Sequence, residues 1–221
     1  MPTFFGFIPS ETLLTDMQYA LDHRNSSEPL YPLRDKIALK MVDEILQNIL
    51  ADLLHKFPAS EKKETAEKLM GYVKATVSTL LKTLLGKADN AQVQKSIDFL
   101  EQSLFTDAQG QKRVGTILPA DLVAQIQQNF TALLNDGDHR AIRMTLKEDY
   151  KKFADLMILH FLINFTKTLD LGMIKRKAAD LAASGVTKAV HMAIDKLFPT
   201  LSKDELKVLA QTHGDFFHSK P

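Results

Sequence analysis

The chain of 221 residues contains no cysteine, which removes disulfides, thiolate metal sites and a cysteine nucleophile from consideration. An excess of one charge is missing too. Lysine and arginine total 28 against 27 aspartates and glutamates, a formal net charge of +1. That balance gives neither nucleic acid nor an anionic membrane an electrostatic reason to bind. Long hydrophobic runs are also absent. The longest, 153–165, is interrupted by Asp155, His160 and Asn164 and is too short to span a bilayer. The opening MPTFFGFIPSE is apolar, but it has no basic residue and is broken by Gly6 and Pro9, unlike a secretory leader. The expectation is a cytoplasmic protein with no membrane span.

Glycine (9) and proline (8) are scarce and localised, and no stretch alternates apolar and polar residues over strand length. Apolar residues recur at helical spacing instead. With 45% hydrophobic and 25% charged residues, the composition is that of an ordinary globular protein. The pattern predicts an all-α fold, one globular domain over 1–221 with a subdivision point near 106–116. About nine helices are expected, at 10–23, 32–56, 60–85, 89–105, 119–135, 138–170, 173–183, 186–198 and 202–213. Prolines at 9, 58, 119 and 199 close apolar runs, and Ser60 and Ser202 follow two of them as N-caps, Ser202 with Glu205 at capping-box spacing. Their unequal gaps exclude a solenoid repeat.

Three helices stand out. In 60–85, Ala66, Met70, Val73, Val77, Leu80 and Leu84 form a heptad-like seam, read as a core-facing stripe or a dimer contact. In 32–56, Ile37, Met41, Ile45, Ile49 and Leu53 step strictly by four, so the stripe slews about 40° per step. Several neighbours, or a subunit contact, must wrap it. The segment 153–165, FADLMILHFLINF, is apolar on nearly all sides and is expected to be the buried central helix.

Motifs for chemistry are sparse. The segment 106–116, TDAQGQKRVGT, reads as a mobile loop, and its glycines do not form a phosphate-binding order. His-Glu-x-x-His and His-Asp patterns are absent. His160 and Asn164 lie four apart on the central helix, joined there by Asp155 and Met157. They read as a polar anchor in an apolar pocket or a haem or metal ligand, against the simpler reading of a hydrogen-bonded core histidine. Asp155 is either a paired buried acid or open to water. Asp52 with His55, and His191 with Asp195, each share a helix face but make weak metal pairs, the second read as solvent-exposed. The repeated Asp-His-Arg at 22–24 and 138–140 reads as charge patterning at helix ends. Lys175–Lys177 reads as a solvated helix face, and the phenylalanine-rich ends, 3–7 and 214–219, are expected to dock, on each other or on a partner.

These observations point to a non-catalytic binding or interaction module, either a homo-oligomer or a holder of an apolar small molecule. The alternative is a helical-bundle enzyme using haem, metal or an apolar substrate, with His160 in its site. No cofactor is identified by the residues.

Overall fold

A computed structural model of the chain describes residues 3–219. Among them the fold is predominantly helical, with eight helices and a small four-stranded sheet. Strand β1 (Thr3–Phe7) leads into α1 (Glu11–Asp22), α2 (31–55), α3 (Glu61–Leu84) and α4 (Asn90–Ser103). A hairpin of β2 (Leu104–Thr106) and β3 (Lys112–Leu118) follows, then α5 (Ala120–Leu134), α6 (139–167), α7 (Met173–Leu197), α8 (Lys203–Gly214) and β4 (Phe217–Ser219). One core cluster runs from Phe5 in the sheet through every helix to Phe217.

The expected helix starts hold where side chains supply caps. Ser10, Ser60 and Asp138 accept backbone N–H bonds at the starts of α1, α3 and α6. Ser202 and Glu205 complete a capping box on α8. One expected stop fails. The predicted helices 173–183 and 186–198 are a single α7, continuous through the exposed Gly185, so eight helices replace nine. An isolated glycine lowers helix stability without obliging a break.

The four-residue stepping of 32–56 has a structural outcome. α2 runs as Tyr31–Leu46, a π turn Gln47–Ala51, then Asp52–His55. A π turn inserts one residue into the helical register, about 100° of rotation, which offsets part of the slew from strict stepping by four. Its apolar side is covered within the chain by α1, α3, α4 and α8. α6 is built the same way, with a π turn at Leu159–Asn164 between His139–Ile158 and Phe165–Lys167. Phe153, Met157, Phe161, Leu162 and Phe165 are buried on the helix expected to be central.

The sheet is the main departure from the sequence reading. Its order is β2-β3-β1-β4, antiparallel throughout. The segment 106–116 is therefore a hairpin, whose connecting turn occupies 107–111 and whose remaining residues are strand. Asp107 fastens its tip: Oδ1 accepts from the amides of Gln109 and Gln111, and Oδ2 pairs with Arg113 at 2.5 Å. The Arg113 hydrogen bond, opposed by burial, holds the Asp107 carboxyl below its ordinary range. The two phenylalanine-rich ends do dock on each other: Phe5 pairs with Phe217 and Phe4 with His218, and Phe5 is fully buried against Phe153, Phe216 and Phe217.

Gly6 and Gly115 face each other across β1 and β3. A Cβ on Gly115 would overlap the Phe5 carbonyl oxygen, backbone that cannot swing aside. Gly115→Ala is expected to destabilise the protein by roughly 3 kcal/mol or more. Gly185→Ala, with open space around the added methyl, should stabilise it by about 0.5–1 kcal/mol. Denaturant unfolding of the two variants checks both signs.

Candidate functional site

The site is a partly open cavity of about 200 Å³ among α2, α3, α6 and α7, with Leu209 and His213 of α8 also in its lining. The α2 wall includes Val42, Ile45, Ile49 and Leu53, and the α3 wall Met70, Val73 and Val77. α6 contributes Phe153, Met157, Phe161 and Leu162, and α7 contributes Val186, Val190 and Ile194. Both π turns supply lining residues, Ile49 and Leu50 from one, Phe161 and Leu162 from the other. Two lining residues carry N or O atoms on their side chains, Tyr150 and His213.

Those two are joined. His213 Nε2 lies 2.9 Å from the Ile49 carbonyl oxygen in the α2 π turn, and Nδ1 lies 2.8 Å from Tyr150 Oη. A carbonyl can only accept, so Nε2 carries the proton and donates it to Ile49. Nδ1 then accepts the Tyr150 hydroxyl proton. Burial lowers the His213 pKa to about 4, outweighing the opposing effect of the Ile49 carbonyl, and burial pushes the Tyr150 hydroxyl well above its ordinary value. The pair is neutral and its protons are committed.

A shallow depression adjoins the cavity and shares Ala66, Leu69, Ala193 and Leu197 with it. Lys62 and Lys196 stand there with Glu61. Lys62 Nζ pairs with the buried Glu205 at 2.6 Å and ties α3 to the α8 N-terminus. Burial raises the Glu205 carboxyl, but the hydrogen bonds from Lys62 and Ser202 prevail and hold it below its ordinary value.

Of the residues singled out in the sequence, Met157 lines the cavity. His160 belongs to a different neighbourhood. Its Nε2 lies 2.9 Å from Ser103 Oγ, which donates its own proton to the Phe99 carbonyl, so His160 is the donor. The ring packs on Phe99 and Phe161, and burial lowers its pKa to about 4. Asn164 is half-buried and accepts from Lys167. Asp155 is exposed, so the buried-acid alternative is excluded, and its Oδ1 meets His191 Nε2 at 2.7 Å. His191 therefore pairs across to α6. Asp195 binds Lys151 and Lys147 instead, and the Lys151 hydrogen bond lowers its pKa. Asp52 accepts from Gln47, and His55 is exposed. Among the described residues no three His, Asp or Glu side chains cluster as metal donors. No helix among them is long and apolar enough to cross a membrane.

Sequence reasoning passed over Tyr150 and His213. A signal existed: His213 continues the apolar stripe Leu206, Leu209 and Ala210 of α8, and Tyr150 precedes Phe153 by one turn on the core side of α6. Comparison with protein-family models, with curated proteins and with solved structures gives no match.

Buried His213 and half-buried His160 set a pH dependence. A pKa depressed from 6.5 to about 4 means the unfolded chain binds the proton first as pH falls. Stability is full above about pH 6.5 and is lost progressively down to about pH 4, by an amount on the order of 3 kcal/mol for His213 alone. Thermal unfolding between pH 7 and pH 4.5 should show this fall, and a melting temperature flat across that window would contradict it.

Proposed function

We propose that the protein is a non-catalytic binding module that holds an apolar small molecule among α2, α3, α6 and α7. The observation carrying this reading is the cavity itself. The space, about 200 Å³, is lined almost wholly by apolar side chains from five helices, and several of them, Ile49, Leu69, Met70 and Ala193 among them, are only half-buried, so hydrocarbon surface is left facing a partly open cleft. A core that keeps such a space, with a π turn in each of two of its walls, is better explained by an occupant than by imperfect packing. A void of about 150 Å³ lined by similar residues already accepts benzene, so this one has room for a larger hydrophobic molecule.

The test uses the neutral fluorescent probe N-phenyl-1-naphthylamine. Its emission should rise on adding the protein, and Ala193→Trp, at the boundary of cavity and depression, should weaken binding at least tenfold through steric filling. No probe binding by a folded protein would remove this reading.

A second reading, self-association, is supported by the outer face of α7. Met173, Ile174 and Leu181 are 76%, 86% and 77% exposed, and Met192 lies further along the same helix. Ile174, Ala178, Leu181, Gly185 and Met192 follow heptad spacing on exposed positions, with Lys188 at the one intervening place. The α2 stripe, covered within the chain, no longer calls for a subunit contact. Light scattering should give a dimer for the native chain and a monomer for Leu181→Arg, and a native monomer across a wide concentration range would sink the idea.

A further inference from the structure

The direction of the hydrogen bonds at the cavity's end constrains what enters it, given the apolar-ligand reading above. Ile49 O can only accept, which fixes the proton on His213 Nε2 and leaves Nδ1 to accept from Tyr150. The phenol proton is thereby used, and the phenol oxygen retains acceptor capacity alone. Every other side chain around the space is hydrocarbon or thioether.

We propose that the occupant is an uncharged apolar molecule bearing a hydroxyl group, which it donates to Tyr150 Oη. A ketone or ether oxygen at the same place meets lone pairs on both sides. Turning the Tyr150 proton toward such an oxygen would strand His213 Nδ1 in a dry site, at the full desolvation cost of that nitrogen. A carboxylate is worse placed, because its charge would lose its hydration among walls that include no lysine or arginine. The apolar walls thus supply affinity, and the polar chain selects a donor over an acceptor.

The experiment is displacement of N-phenyl-1-naphthylamine at pH 8 by 1-octanol, 2-octanone and octanoate, with each value corrected for the compound's own transfer from water to alkane. Octanol should displace the probe at a concentration about 3–10-fold lower than octanone, with octanoate weakest. In Tyr150→Phe, with the variant's own affinity for the probe measured first, the octanol preference over octanone should disappear. Equal displacement by octanol and octanone, or a preference that survives in folded Tyr150→Phe, would overturn the assignment. If that variant does not fold, the native ligand series decides alone. Failure of the probe to bind the native protein would instead remove the apolar-ligand reading, and this inference with it.

Discussion

The hydrogen bond from His213 to the Ile49 carbonyl is the contact on which the organisation of the helical core turns. It joins α8 to the wide turn of α2, and through Tyr150 it reaches α6. A π turn loosens the regular amide ladder and makes its carbonyls available to side chains, so the irregularity and its ligand belong together. The tie is one-directional as well. Because a carbonyl cannot donate, one tautomer satisfies all three groups, and a protonated ring would leave a charge in hydrocarbon.

That bond depends in turn on where α8 ends, and the sheet decides this. β4 begins three residues after α8 and pairs with β1, which is itself held by β3. The Phe216 amide bonds back to the His213 carbonyl, and the Gly6 amide donates to Phe216 O. The chain's two ends are therefore clamped together beneath an aromatic group of Phe5, Phe130, Tyr150, Phe153 and Phe217. Offset and edge-on pairs of this kind add to the simple burial of their area. The sheet is small, yet it fixes the roof from which His213 reaches the cavity.

Much of the helical frame was legible because its signals are local. Serine after proline marks a cap, and the core stripe of α3 is written at heptad spacing through Ala66, Val73, Val77, Leu80 and Leu84. The strands were not legible for an equally physical reason. β3 is flanked by β2 and β1 and buries Val114, Gly115 and Thr116 in succession, so it has no polar-apolar alternation to detect. Its lysine, arginine and glycine content imitates a loop. β1 and β4 are strands only because they meet each other and β3, and pairing between residues more than two hundred positions apart leaves no trace in either segment alone. The docking of the ends was readable from their phenylalanines, but not the backbone geometry by which they dock.

The site shows the same division. His160 drew attention because it interrupts an apolar run, yet interruption is a property of the sequence and not of the packed helix. The π turn at 159–164 carries Phe161 and Leu162 into the cavity lining while His160 reaches Ser103 on α4. His213 drew none, since it stands between polar Thr212 and Gly214 at the end of α8, where its continuation of the stripe through Leu206, Leu209 and Ala210 is easily passed over. What distinguishes the two is depth relative to a void, a property of four helices at once. A strict four-residue stripe was the nearest local hint of that void. Such a stripe over-rotates on a regular helix, and a wide turn absorbs part of the excess. The wall that results presents apolar side chains from both sides of the turn to a space that no residue fills.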